Sequence, residues 1–571
     1  MTLQNKESEK SEVLINKTKP KYAQVNQSEI YLYEPVSPVS DAVRVAMVYP
    51  AAYQIAMSSL GYLTLFQLLD ENPNIDASRI YADTWDKYRS TSQGAGAEMM
   101  GYSFSFELDI IKIFESFEAF GIPQYAQDRD RHHPLIFAGG PVPMSNAEPF
   151  ADFFDFFLIG EGEEIITDLA TAYAKYRHLG SREELIRRLA AEVPGLYAPS
   201  MYHVEYASCG KADFGPISAI TPKYDDVPAV VQKRFIENMD GFVASTPIIT
   251  DKTIFSNMLL VEVMRGCAHR CRFCLASYSM LPARGAQMQL IMEKIEQGIQ
   301  HTDKVGLLGA LISNHPEFPE LCDFLNHKEG LTISASSLRA DTMTPEIART
   351  FKKGKQKQLT IAVETGSDRL KRRINKNLTN EEVVRAASYI AEAGLEGLKI
   401  YGIVGLPDET EEDVVALAEL LKDIKKANPK LKLHLGCSSF VPKAGTPFQW
   451  QPKVENKTVE TRHEILRKSL LKVADVRASS AKWDYFQAFL SRGDRRLSKL
   501  LVRFYQLGGS LGAVNRAFKE LKSEGAIDFP ELDWYACRER PESEILPWDM
   551  INLGVAKNIL YKEGQPPPGF H

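Results

Sequence analysis

Twice along its length the chain repeats one phrase: a short apolar run, then a longer stretch with helical periodicity. The first series starts at Val43. Its strand candidates are VRVAMVYP, RIYAD, EMMGYSFS, HPLIFAGGP and DFFDFFLIGEGEE, and its helices include SSLGYLTLFQLLDE and FELDIIKIFESFEAFG. The second starts near Ser256, with MLLVEVMRG, KVGLLGAL, LTISASS, QLTIAVETG, GLKIYGIVG and KLHLGCSSF, and with helices TNEEVVRAASYIAEAG and TEEDVVALAELLKDIKK. Continuous apolar runs suit strands covered on both faces, and a helix between successive strands returns the chain for parallel pairing. The pattern predicts an α/β protein. An N-terminal Rossmann-like parallel sheet domain (41–178) precedes a bridging segment (179–250), a partial (βα)6 barrel (251–450) and a helical C-terminal region (451–571). Residues 1–40 are polar and aperiodic and read as a disordered tail.

Composition narrows the partners. A formal net charge of -6 over 571 residues leaves no basic footprint, so nucleic acid is not expected. No apolar run approaches the ~20 residues of a membrane span, and the N-terminus lacks a signal-peptide core. The expectation is a soluble, cytoplasmic protein acting on a small-molecule or otherwise unidentified substrate.

Three of the seven cysteines fall within eight residues: Cys267, Cys271 and Cys274, in RGCAHRCRFC. Cys209, Cys322, Cys437 and Cys537 are scattered, which does not suit a disulfide framework. Thiolates are soft ligands for iron and zinc. Structural zinc normally takes four protein ligands, and His269 is the nearby fourth candidate. Three thiolates can instead hold a cubane cluster with one iron open. The motif follows the first strand of the second series, at the strand edge where parallel barrels place their chemistry.

The CxxxCxxC spacing, with an aromatic before the last cysteine, resembles the radical S-adenosylmethionine (SAM) superfamily. The resemblance implies a 4Fe–4S cluster on Cys267, Cys271 and Cys274. It also implies SAM as cofactor, reductive cleavage to a 5′-deoxyadenosyl radical, and an external electron donor of flavodoxin or ferredoxin type. No catalytic residue is assigned beyond the cluster. Carried onto this sequence, it places Phe273 near the adenine, Glu364 on the ribose, Ser337 and Arg339 after the third strand, and Gly402 and Gly405 beside the adenine. Each has a plainer reading: a core aromatic for Phe273, ion pairs for Glu364 and Arg339, tight turns for the glycines. The superfamily's Gly-Gly-Glu after the second strand is replaced by Leu308-Gly309-Ala310-Leu311-Ile312-Ser313.

AGGP at 138–141 and IGEGEE at 159–164 resemble the cobalamin-binding domain fused to many radical SAM enzymes. Gly139, Gly140, Gly160 and Gly162 would form open loops at a sheet edge. The histidine that ligates cobalt has no counterpart in Tyr49–Ala56, so the resemblance leaves two forms: cobalamin binding without a protein ligand, or a degenerate scaffold that organises the substrate side. SSLG, YSFSFEL, FVPKAGTPFQW, SRGDRR and LPWD resemble a poorly characterised bacterial radical SAM family. Arg492, Asp494, Arg495 and Arg496 read as a helix-start charge cluster or as a site for an anionic substrate group. Two other functions stay open: a cobalamin-dependent radical SAM methyltransferase, and a non-catalytic iron–sulfur or zinc-binding regulator.

Overall fold

The computed structural model describes residues 28–88, 96–208 and 214–570. In the N-terminal domain the strands are β1 (Val43–Tyr49), β2 (Ile75–Tyr81), β3 (Met99–Ser103), β4 (Leu135–Gly139), β5 (Phe156–Leu158) and β6 (Leu196–Tyr197). They form one sheet in the order β2-β1-β3-β4-β5-β6, parallel except for β6. The order reverses between β1 and β3, the topological switch point of a doubly wound sheet. Its faces are covered by α1 (Leu60–Asp70), α2 (Ile110–Phe120), α3 (Gly162–Tyr176) and α4 (Arg182–Glu192). Gly121 closes α2 with φ 66°, as a left-handed C-cap requires. Helix α4 and strand β6 come from the 179–250 stretch, and their Leu185, Leu189, Leu196 and Tyr197 are buried in this domain's core.

The second series forms β7 (Leu259–Arg265), β8 (Lys304–Gly309), β9 (Thr332–Ala335), β10 (Gln358–Glu364), β11 (Gly397–Val404), β12 (Lys432–Ser439) and β13 (Ala474–Ala478). Two parallel groups, β7-β8-β9 and β10-β11-β12-β13, meet through the bridge Leu338–Ile361. All six expected strands are present. The seventh, β13, lies where the sequence pattern reads as helix. Its five residues alternate, with Ala474 and Val476 packed on the barrel's outer core, a signal too short to stand out beside the preceding helix. Outward residues such as Val261, Leu307, Ile361, Ile400 and Leu435 are buried under the helices. Inward ones such as Glu262, Ser334 and Thr360 are half-buried and Tyr401 is exposed, so the lumen side of the barrel is more accessible than its outer core.

After β12, helices α5 (Asn456–Ser469), α6 (Ala481–Ser491), α7 (Ser498–Gln506), α8 (Leu511–Ser523) and α9 (Lys557–Gly564) make up most of the C-terminal region. This region shares a core with the first domain. Phe486, Phe489, Leu500 and Phe504 join the cluster of Phe114, Phe150 and Phe153. SRGDRR lies at that junction. Asp494 caps the turn by accepting from the Arg496 amide at 3.1 Å. Arg495 forms a bidentate pair with buried Glu148, both bonds 2.9 Å. Fully buried Arg492 donates to the Ala536 and Arg538 carbonyls.

Of the expected tail, residues 1–27 lie outside the described residues. From Ser28 the chain is anchored: Ile30–Tyr31 pairs with Ile248–Ile249, and Glu29 meets Arg79 at 2.7 Å. Among the described residues, no helix is long and apolar enough to cross a membrane.

Candidate cluster and cofactor site

Strand β7 delivers the cysteine loop to the C-terminal edge of the barrel. Gly266, with φ 76°, starts it. A Cβ there would strike the Met280 carbonyl, so the loop's two arms approach as only glycine allows. Arg270 adopts φ 52°, and the Cys274 amide donates to the Cys271 carbonyl at 3.0 Å, closing a turn before the short helix Ala276–Ser279. Asn375 braces the loop from outside by donating to the His269 and Arg270 carbonyls at 3.1 and 3.0 Å. The Arg272 amide donates to Ile374 at 3.0 Å.

All three thiols of the motif are free. Cys271 is buried, and that burial pushes its thiol up to about 12; Cys267 and Cys274 are half-buried. Among the described residues, no three His, Cys, Asp or Glu side chains are gathered closely enough to hold a single metal ion. Cys322 and Cys437 are buried elsewhere and Cys537 is half-buried, while Cys209 lies outside the described residues.

Around the loop stand several of the expected residues. Phe273 packs against Leu370, Ile374, Leu406, Phe440 and Phe448, filling the gap beneath the β10 and β11 loops. Glu364 ends β10 with φ 70°, a strained conformation for a residue with a side chain, and is buried with Lys376 at 3.2 Å. Strain of this kind costs about 1–3 kcal/mol and gathers at functional edges. Arg339 is committed: it donates to both Asp341 oxygens at 2.8 Å and to the Asn377 carbonyl at 2.6 Å. Ser337, half-buried, is two residues away.

The two glycines serve packing. A Cβ on Gly402 would come within 2.9 Å of Leu417, and one on Gly405 within 2.8 Å of Val454. Gly405 also turns with φ 81° and donates to Glu409 at 2.6 Å. Ser313, in the segment that replaces Gly-Gly-Glu, accepts from Thr342 at 2.7 Å.

Lys376, Asn375 and Asp341 escaped the sequence reading. Lys376 is buried and acts electrostatically on Cys271 and His269. Its signal was present in the basic run RLKRRINK, which reads locally as a solvated helix face.

The N-terminal sheet points the same kind of edge toward the barrel, but its loops are filled. A Cβ on Gly140 would lie 2.9 Å from the Phe104 carbonyl and one on Gly162 2.9 Å from Leu65, and Gly160 abuts the Arg234 main chain. The GEGEE loop is a docking element. Glu161 meets Arg265 at 3.0 Å and also Arg284, and it accepts from the Ile236 amide at 2.9 Å; Glu163 meets Arg265 at 2.7 Å. Arg265 is bound to Glu262 too, at 2.7 Å, and immediately precedes Gly266. Glu107, after β3, is buried between Lys443, Gln487 and Ser491, and the Lys443 ammonium and these hydrogen bonds hold its carboxyl below the usual range despite burial. His132 and His133 precede β4 and so lie at the opposite edge, where His133 contacts Asp130 at 2.9 Å. A cavity of about 350 Å³ between this domain and the C-terminal segment is lined by Met144, Trp548 and Leu560 among others. Trp548 and Leu560 share an apolar cluster with Tyr278, so this space backs onto the helix that follows the cysteines.

Residues 261–421 match the family model of the radical SAM superfamily, and residues 61–199 match that of the N-terminal domain of radical SAM proteins. An uncharacterized protein of Methanocaldococcus jannaschii is 27% identical over 464 residues, covering 80% of this chain and 90% of its own length. An uncharacterized methyltransferase of Pyrococcus horikoshii is 23% identical over 332 residues, 56% of this chain and 65% of the relative. Among solved structures, the radical SAM methyltransferase TsrM from Kitasatospora setae, with cobalamin and a 4Fe–4S cluster bound, aligns with TM-score 0.48 and 13% identity over 85% of this chain and all of that one. With its three-cysteine loop on the first barrel strand and the N-terminal domain of radical SAM proteins ahead of it, the chain belongs to the radical SAM superfamily.

Proposed function

We propose that Cys267, Cys271 and Cys274 hold a 4Fe–4S cluster at which SAM is reductively cleaved, on behalf of a substrate reached through the open barrel lumen. The observation that carries this is the presentation of three uncommitted thiols by one braced loop at the C-terminal barrel edge. Three clustered cysteines with no fourth cysteine near them in the sequence suit a cubane, in which each binds a different iron, better than a four-ligand zinc cage. When bound, the cluster with SAM supplies a one-electron route to a 5′-deoxyadenosyl radical. The protein's part is to bind, orient and shield. Asn375 and the Arg272 amide fix the loop. Phe273 walls the cofactor space on the β10–β11 side. Glu364 offers a carboxylate whose reach is limited by Lys376. Arg339 must release Asp341 before it can meet a SAM carboxylate, so its role here is to order the third loop.

The test is anaerobic reconstitution with iron and sulfide, addition of dithionite and SAM, and measurement of 5′-deoxyadenosine. Product above the no-protein control is expected. Folded protein that takes up no iron and cleaves no SAM refutes the reading.

A second reading, a cobalamin-dependent methyltransferase, is favoured by the switch point between β1 and β3. There Ile55 and Phe106 are 45% and 42% exposed, an apolar surface that a corrinoid would cover. The first loop, Tyr49–Ala56, offers no histidine, so a histidine-ligated corrinoid does not fit. Corrinoid retention after incubation and gel filtration decides between the two.

A further inference from the structure

The inner face of the barrel is finished differently on its two sides. On the β7–β8 side, the inward Leu260 and Leu308 belong to an apolar cluster with Leu60 of α1 and Phe242. On the β11–β13 side, alternate residues such as Leu398, Ile400 and Leu435 are buried in the outer core, and the residues between them face inward. One cross-strand row there carries Lys399, His434 and Asp475; the next carries Tyr401, Gly436 and Arg477. The acid of these rows is taken, since Asp475 meets Arg477 at 3.0 Å and His434 at 3.4 Å. Elsewhere on the inner face, Glu262 is bound to Arg265 and Glu364 to Lys376. Among the described residues, Lys399 has no carboxylate partner.

Lys399 and Tyr401 converge. Tyr401 is 40% exposed, although β11 has a strand on either side of it. The half-buried Lys399 donates to the Tyr401 hydroxyl at 3.4 Å, and its ammonium lies 4.8 Å from the centre of the ring. A Cβ on Gly436 would come within 3.3 Å of that ring and 3.6 Å of the Lys399 side chain, so both side chains lie over Gly436. The ammonium has further protons to donate, and the phenol that accepts from it still has its own O–H to give. An anionic oxygen beside the pair accepts from both. The next inward residue of β11, Ile403, is roughly 7 Å further along the strand and packs against the apolar cluster that Phe273 joins. The pair therefore stands one inward position below the side of the barrel that carries the cysteine motif.

We propose that Lys399 and Tyr401 bind an anionic group of the substrate, a carboxylate or a phosphate, one oxygen of which accepts from the ammonium and the phenol together. The inference rests on the radical SAM reading above, since that reaction is what makes the bound anion a substrate. Charge complementarity selects the class. The inner-face carboxylates are already paired, so a cationic substrate finds no free partner there, while an anionic one meets an uncommitted ammonium. An uncharged analogue of the same shape loses the charge-assisted bonds and is discriminated against.

Benzoate, phenyl phosphate and uncharged benzamide are the probes. Their binding to the reconstituted protein, with SAM present to fill its own carboxylate site, is followed by saturation-transfer NMR. The wild type is compared with Lys399→Met, Lys399→Arg, Tyr401→Phe and Lys519→Met. Lys519 is exposed on α8, in the C-terminal region, and serves as control. Lys399→Met should weaken both anions about tenfold and leave benzamide unchanged, and Tyr401→Phe should weaken the anions about threefold. Lys399→Arg should restore most of the anion affinity, and Lys519→Met should match the wild type. The tighter of the two anions identifies the group as carboxylate or phosphate. Melting temperature identifies a variant that has lost its fold, and Tyr401→Phe then carries the test. Equal anion affinity in the wild type and Lys399→Met overturns the site, as does a wild type that binds neither anion. Dithionite-driven SAM cleavage by the wild type judges the enzyme reading separately: without it that reading fails, and the binding comparison still decides the anion site.

Discussion

The cysteine loop after β7 and the GEGEE loop after β5 occupy the same kind of place, the C-terminal edge of a parallel sheet, and are used in opposite ways. In the first, glycine tightens a turn whose reactive groups, three thiols, are left without partners. In the second, Gly160 lets another main chain approach, Gly162 lets the Leu65 side chain approach, and every carboxylate that follows is engaged. A Gly-rich turn at a sheet edge is thus ambiguous. What distinguishes a ligand loop from a docking loop is whether neighbouring protein fills the space and pairs the polar atoms.

The largest effect that separates the two regions is expected from the thiols. Replacing Cys267, Cys271 or Cys274 by Ala should reduce bound iron to background and SAM cleavage by more than about 100-fold, while Cys322→Ala leaves iron content intact. Iron and sulfide assays on reconstituted protein check both halves; iron retention in Cys271→Ala would place the site elsewhere.

On the docking side, Gly160→Ala should destabilise by about 2–4 kcal/mol, since a Cβ there meets the Arg234 main chain at φ 123°. Gly139→Ala, whose nearest neighbour would be 3.8 Å away, should change stability by less than about 0.5 kcal/mol. Denaturant midpoints compare them, and equal midpoints would mean that the GEGEE loop is not tightly docked. Glu161→Gln should cost about 3 kcal/mol, because it leaves the Arg284 guanidinium buried without its carboxylate. It should lower the melting temperature without lowering iron content per folded chain.

The smallest effect concerns Glu409, which accepts from the Gly405 amide beside the barrel edge. Burial pushes its carboxyl up to about 7 despite Arg462 at 2.9 Å. The folded chain therefore holds a proton that the unfolded chain releases near 4.5, and stability falls as pH rises between these values. Unfolding titrations at about pH 5 and pH 7.5 should show a smaller pH difference in Glu409→Gln than in the wild type. An identical difference would mean that the carboxylate stays ionised.

What the sequence made legible follows from range. The apolar runs became strands because burial on both faces leaves a local signature, and the cysteines announced themselves by spacing within eight residues. The Arg265–Glu161 pair joins positions 104 apart and leaves no local trace. The same holds for Arg495–Glu148. SRGDRR was readable as a helix start through Asp494, yet not as the buried seam where Arg492 meets main-chain carbonyls. Gly402 and Gly405 stand out in the sequence as glycines at a strand end. What demands glycine there is Leu417 and Val454, side chains from later segments.

Glu563 near the end of α9 carries a consequence for biosynthesis. It holds Arg270 of the cysteine loop at 2.8 Å and accepts from Tyr278 at 3.1 Å, while the Gly564 carbonyl accepts from Arg373. The rim of the loop is therefore finished by residues translated almost 300 positions after the cysteines. A nascent chain released only as far as the barrel would display the thiols without this brace. The braced loop is a property of the chain only after synthesis has passed α9.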